Sequence, residues 1–540
     1  MQESKERRNH TSAGALCLWL CAQVLSLPLP LRSSEPQAGD ASPAAPLREE
    51  GLTLLKRRDF DGAARLFRNA VEVDPKDFQS RYYLGLVFAE TGLPESAILE
   101  FQRTLELNDT VPSAHFQLAV ALDRQGRGIE AIFHLQQAIA LQPDFVEAQY
   151  LLSSLCWKRG DVEGAVALLQ KVVARMPNLA EAHYNLGLEL RQLGKLEAAV
   201  EALRHALQLG PGEAKTHHAL AQVLTEKGEL RSAEEEFRKT LALAPNQSQP
   251  RYDLGLCLRQ QGRLEDAEKE FRNVLSGEPG FFPARRMLGF VLHQQARNRE
   301  AVAELRPVVA DHPNDAEARY ILGLALIRLG EKKEAIDELR AATRLDPYLE
   351  EARIALAKAF REGGDTALAR AEMAEAEKVR QVKSNAGRSM ILLEAAREER
   401  KNGNFDKALS GLREAIALSP EFADAHYEMG SCLIEYAGEP QEAETVLRRA
   451  LALKPDAQGH YNLGSLLEKR GQKAGAAEEF RAAAALKPSF AEAHRALAQA
   501  AVAEADFRSA IGEFRSLLAW KPDDAEARRG LEEMLEKSRH

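Results

Sequence analysis

Small and apolar residues return along this chain in a fixed register. Alanine stands at Ala63, Ala97, Ala131, Ala165, Ala199, Ala233, Ala267, Ala301, Ala335 and Ala369, each 34 residues from the last, and the series continues at Ala408, Ala443, Ala476 and Ala510. Proline keeps step at Pro75, then from Pro143 to Pro347 at the same interval, and again at Pro420, Pro455, Pro488 and Pro522. With the proline as position 32 and the count restarting three residues later, the alanine is position 20. Position 7 is then leucine from Leu84 to Leu356, position 8 is Gly, Ala or Ser, position 15 is glycine in eleven units, and position 24 is always Phe, Leu or Met. Positions 4, 7, 8 and 11 share one helical face, and 20, 24 and 27 share another. Glycine at 15 suits the left-handed residue that ends a first helix, and proline at 32 stops a second. Small residues at 8 and 20 let the two helices approach, while 7 and 24 fill the space beside them. The pattern therefore predicts fourteen helix–turn–helix units. None can bury its apolar face alone, so they stack into one continuous core.

The register slips once. From Pro347 to Pro420 is 73 residues, five more than two units. A tenth unit fits 348–381 with Gln381 in place of proline, and the charged run Glu375–Lys383 leads into Ser384-Asn385-Ala386-Gly387. This predicts a long second helix, a short break at 384–387, and a weak eleventh unit with Ala395 and Ala396 at positions 7 and 8. The division expected is an array of about ten units over 44–383, a joint at 384–387, and four units over 388–522. A five-residue insertion in an unbroken stack is the alternative. Pro307 falls inside a second helix, where it removes a backbone bond and should kink the helix. Beyond Pro522, Leu531, Met534 and Leu535 keep helical spacing among charges, which predicts a capping helix over 523–540.

Segments such as Ala180-Glu181-Ala182-His183-Tyr184-Asn185-Leu186-Gly187 and Ala423-Asp424-Ala425-His426-Tyr427-Glu428-Met429-Gly430 resemble the tetratricopeptide repeat family, and the resemblance runs over about 44–522. It implies an all-α fold, a right-handed superhelical α-solenoid of tandem helix–turn–helix repeats. It implies a binding surface too, because in that family the first helices line a concave face through positions 2, 5, 9, 12 and 13. The residues so placed here are Tyr82, Phe116, Tyr150, Trp157, Tyr184, Arg191, Tyr252, Arg259, Arg286, Tyr320, Arg361, Tyr427 and Tyr461. Tyrosine with interleaved arginine suits an extended or helical protein segment. Tyrosine at position 5 is equally a packing preference of the family.

The array is also similar to the repeat region of the O-linked N-acetylglucosamine transferases. The asparagine column of that family falls at position 6, where only Asn185 and Asn462 match. No transferase domain accompanies the repeats. A targeting subunit for a separate enzyme such as a glycosyltransferase, and a cytoplasmic assembly factor, stand as alternatives to an exported scaffold.

Composition narrows the picture. The net charge is −9 over 540 residues, which gives no electrostatic reason to expect nucleic acid. Aromatics are 6%, in keeping with cores built from small and aliphatic residues. Residues 1–43 read as a signal peptide or anchor followed by a flexible linker. Lys5, Arg7 and Arg8 precede a charge-free stretch over 11–31, and a loose Pro/Ser/Ala segment follows. This predicts export to the periplasm, the envelope or the medium, with any membrane contact made through that segment.

No catalytic residue, cofactor or metal is expected. The repeats use nearly every residue, and no GxxxxGK, GxGxxG, GxSxG or CxxC occurs. Six histidines share position 4: His115, His183, His217, His426, His460 and His494. Neighbouring first helices lie about 8–10 Å apart, so these rings are read as packing residues. Cys156, Cys257 and Cys432 lie several repeats apart and read as small buried hydrophobes.

Overall fold

The computed structural model describes residues 42–437 and 440–538, and the leader expected over 1–43 lies almost entirely outside them. Among the described residues the chain is a succession of 28 α-helices with one π-helical turn. The first, Ala45–Lys56, pairs with Phe60–Val73, and each later unit repeats that helix–turn–helix. First helices are mostly 13 residues long and second helices mostly 14, as the 34-residue period requires once two short turns are counted.

The columns have the roles their chemistry suggested. The position-15 glycines adopt the left-handed conformation, with φ of 74° at Gly92, 83° at Gly160 and 78° at Gly262. Where glycine is missing the backbone keeps that conformation: Arg58, Ala296 and Ala505 have φ of 61°, 62° and 57°. Position 8 is small because the position-24 side chain fills the space over it. A Cβ added at Gly85 would sit 2.7 Å from the Phe101 ring, one at Gly255 2.6 Å from Phe271, and one at Gly323 2.6 Å from Leu339. Every position-20 alanine is buried. Asp59, Asp77, Asp161, Asp315, Asp456, Asp506 and Asp524 cap helix N-termini by accepting backbone N–H bonds.

The helices fall into two compact units. One takes the described residues up to Asn178 together with Lys454 onward, and the other spans Leu179–Leu453. In the first unit the second helix of the third repeat, Gly128–Leu141, packs against the last repeat's second helix, Phe507–Trp520. The final helix, Ala525–Lys537, lays Met534, Leu531 and Leu535 on the cluster around Phe514 and turns its charged side to solvent.

In the second unit the break expected at 384–387 is absent. One helix runs without interruption from Thr366 to Lys401, 36 residues. The turn fails because the proline that stops a second helix is missing: Gln381 stands in its place, and Gly387 stays within the helix. Gln381 Nε2 donates to Asn385 Oδ1 at 2.7 Å, one turn on, and the Ser389 hydroxyl donates to the Ala415 carbonyl at 3.0 Å. The five extra residues are thus absorbed as helix. The 35-residue spacing from Pro420 to Pro455 has its counterpart in the π-turn Leu433–Ala437, where a wider helical turn takes up an added residue. Pro307 lies inside the continuous helix Asn298–Asp311.

Candidate protein-binding face

The position-5 ring column belongs mainly to the core. Tyr82, Phe116, Tyr150 and Tyr184 are 4%, 1%, 1% and 8% exposed, so these four offer a ligand almost no surface. The cause is local. A position-5 ring wedges between the position-24 side chain of its own second helix and the aromatic residue of the following turn. Tyr252 lies 5.8 Å from Phe271 and 5.4 Å from Phe281, Tyr461 lies 5.5 Å from Phe480 and 5.2 Å from Phe490, and Phe116 lies 5.1 Å from Phe145. Burial pushes the Tyr184 hydroxyl up to about 12, so it stays protonated. Tyr252, Tyr320, Tyr427 and Tyr461 are half-buried, and Trp157 packs at the edge of the first unit's core.

The arginines divide by partner. Arg191 bonds Glu226 Oε1 through Nε at 2.8 Å and Gln222 Oε1 at 2.8 Å, both on the next first helix. Arg286 is held by Asp315 at 3.0 Å and Glu317 at 3.1 Å. Arg259 instead lies over Phe290, its guanidinium carbon 5.4 Å from the ring centre, with its Nε buried and unbonded. Arg361 is exposed near the C-terminus of Glu350–Glu362.

Position 9, one of the concave positions the family resemblance implied but whose residues were not named, completes the face. Position 9 of the second unit carries Leu188, Leu256, Phe290 and Leu324, all half-buried. The residues were present in the sequence, interrupted by Gln222 and followed by Lys358, but half-burial cannot be told from full burial by period alone.

Position 4 proves to be a clamp. Its side chain reaches back to the position-32 carbonyl and across to position 23 on its own second helix. Arg285 donates to the Pro279 carbonyl at 3.0 Å and pairs with Glu304 at 3.2 Å, and Arg251 does the same with Pro245 at 3.1 Å and Glu270 at 3.0 Å. Histidine substitutes directly: His217 lies 3.2 Å from the Pro211 carbonyl and 2.5 Å from Glu236, and His494 lies 3.1 Å from Pro488 O and 2.7 Å from Glu513. These rings tie the inter-repeat turn to the second helix. His115 differs because its position-23 partner is His134, with the Nδ1 atoms 3.1 Å apart, and burial depresses the two rings to about 4 and about 3. Among the described residues no group of three or more His, Cys, Asp or Glu side chains could hold a metal ion. Cys156, Cys257 and Cys432 are buried, and burial raises each thiol.

Comparison with known proteins agrees with this architecture. Tetratricopeptide repeat models match residues 48–115, 218–280 and 287–350, then 124–186 and 399–466, then 180–212 and 457–490, together more than half of the chain. The search of curated proteins finds no match. Among solved structures, MamA from residue 41 onward, of Desulfovibrio magneticus RS-1, is 26% identical with a TM-score of 0.30, covering 31% of this chain and 94% of that one. YrrB, described as a tetratricopeptide repeat protein with an unusual peptide-binding site, is 21% identical with a TM-score of 0.31, covering 34% and 95%. The Naa15/Naa10 complex bound to HypK is 13% identical with a TM-score of 0.37, covering 91% and 96%. By its repeats and by these family matches, the chain belongs to the tetratricopeptide repeat family.

Proposed function

We propose that this protein is a non-catalytic interaction scaffold that holds a segment of another protein along the first-helix face of residues 179–453. The observation carrying this reading is the half-buried set Leu188, Leu256, Phe290 and Leu324 with the Arg259 guanidinium over Phe290, its Nε unbonded. An apolar row gives a partner helix or strand something to bury, and a cation without its own counter-ion gives it a place for a carboxylate. Arg191 and Arg286 already have carboxylate partners, so they contribute less. Photo-cross-linking from a benzophenone side chain placed at Leu256 tests the face. Adducts to a partner that disappear with Arg259→Glu support it. Adducts that survive Arg259→Glu unchanged, or that form only from second-helix sites, refute it.

The leader supports export as a second part of the proposal, in that a basic flank precedes a charge-free apolar run in residues 1–31. N-terminal sequencing of the native protein decides this, since an intact Met1 in a soluble fraction removes it.

A further inference from the structure

In the first unit, residues more than 300 positions apart meet along a seam of unusual chemistry. Gln136 and Gln137 are each 2% exposed, yet they sit in a helix whose neighbours are alanine, leucine and isoleucine. Gln136 Nε2 donates to the Pro488 carbonyl at 3.0 Å. Gln137 Nε2 donates to the Gly512 carbonyl at 2.9 Å and to Ser516 Oγ at 3.2 Å. Arg515, 4% exposed, reaches Asp109 Oδ2 at 2.8 Å. The Ser489 backbone N–H donates to Asp161 Oδ2 at 2.9 Å and its hydroxyl donates to Oδ1 at 3.0 Å. At the rim Lys487 Nζ lies 2.5 Å from Glu163.

Contacts between successive repeats look different. They bury rows of alanine, leucine and phenylalanine, which water penalises when parted. The seam is held instead by amides, a guanidinium and hydroxyls, which water solvates readily once they separate. Asp161 accepts the cap bond from the Gly164 N–H at 2.9 Å in addition to the two bonds from Ser489, so its role as a helix cap does not depend on the seam. Some apolar contact accompanies these bonds: the Phe133 ring lies over Gly512, where an added Cβ would come 3.0 Å away, and Ala519 is a buried member of the neighbouring cluster with Trp520 packed against it. Polar, separable contacts of this sort are characteristic of interfaces that open.

We propose that the seam is a latch. The last two repeats close in cis on the second helices of the third and fourth repeats, and they part from them while both sides remain folded.

Lys487 and Glu163 allow a direct reading, because a carbodiimide joins a lysine amine to a carboxylate only when they touch. The full chain is treated as an equal mixture of nitrogen-14 and nitrogen-15 protein, and Lys487–Glu163 peptides are quantified by mass spectrometry. Same-isotope linkage in the wild type is the expected result. Two variants should each weaken the closing equilibrium by about tenfold, the factor that corresponds to about 1.4 kcal/mol, and so lower the yield measurably: Gly512→Leu, which collides with Phe133, and Gln137→Ala, which removes two bonds. Far-ultraviolet helicity and the melting profile should be retained in both. Any of four results overturns the latch: no linkage in the wild type, linkage only between isotopically different chains, yields unchanged in both variants, or linkage lost together with helical signal.

Discussion

Glu189 is the sharpest test of the packing logic. It lies in Ala180–Gln192 at position 10, a column occupied elsewhere in the second unit by Val223, Cys257, Val291, Ala325 and Ala359. It is 3% exposed, and its Oε2 has no hydrogen-bond partner. Burial alone pushes its carboxyl up to about 8. The sign follows from linkage. The folded state prefers the protonated acid, so this site costs nothing below the unfolded value near 4.5. The cost grows as pH rises from there to about 8 and is constant beyond. At pH 7 the separation between folded and unfolded titration amounts to roughly 2.5 pH units, or about 3 kcal/mol, and above pH 9 it approaches about 5 kcal/mol. Glu189→Gln keeps the shape and removes the titration. It should match the wild type at pH 4.5 and be more stable by about 3 kcal/mol at pH 7. The assay is urea unfolding followed by circular dichroism at pH 4.5, 6, 7 and 8.5, with hydrogen exchange over 180–209 to isolate this repeat from staged unfolding of the array. A stability difference that does not change with pH, or a variant weaker than the wild type at pH 8.5, would refute a buried, unpaired carboxyl.

Three further outcomes are expected. Ala233→Leu or Ala267→Leu should lose about 1–3 kcal/mol by overpacking, because both alanines are fully buried at the helix crossing; unchanged melting temperatures in both would place position 20 outside the core. Ala296→Gly and Ala505→Gly relieve a left-handed backbone and should each gain about 1 kcal/mol in thermal unfolding, whereas Gly262→Ala should lose a similar amount. His115 and His134 are held neutral by burial, so their contribution is intact above pH 6.5 and is lost as pH falls toward 4, by about 2 kcal/mol for each ring at pH 5. Replacing both with Gln should flatten that part of the pH–stability profile, and an unaltered profile would contradict their burial.

The repeats were legible in the sequence because each one reports the same packing solution, so alanine at 20 and a large residue at 24 recur in all fourteen units and glycine at 15 in eleven of them. The position-4 clamp was half legible. The histidines were placed as packing residues, but their glutamate partners at position 23 are interrupted by His134, Leu168 and Ala202, which blurs the column. The uninterrupted helix over 384–387 was misread because Ser, Asn and Gly favour turns only weakly once the proline that stops the helix is missing. The ring column at position 5 has the same period whether it faces a ligand or the next turn, and only the distances to Phe271 and Phe281 decide. The seam left no trace in any periodicity, since Gln136 and Gly512 are paired by three-dimensional return of the chain and not by register.

The 36-residue helix has a mechanical consequence. At a rise of about 1.5 Å per residue it is a rod about 54 Å long. Its N-terminal half is tied to Glu350–Glu362 by Arg380 on Glu350, 2.8 Å, and Arg353 on Glu372, 3.3 Å, and its C-terminal half to Phe405–Leu418 by Ser389 and Arg388. A turn between two repeats can swivel, but a rod cannot. A twist applied by a load at one end is therefore delivered to the other with little loss, so repeats nine and ten move with eleven and twelve as one lever. The missing proline at 381 removes a hinge from the second unit and leaves a strut in its place.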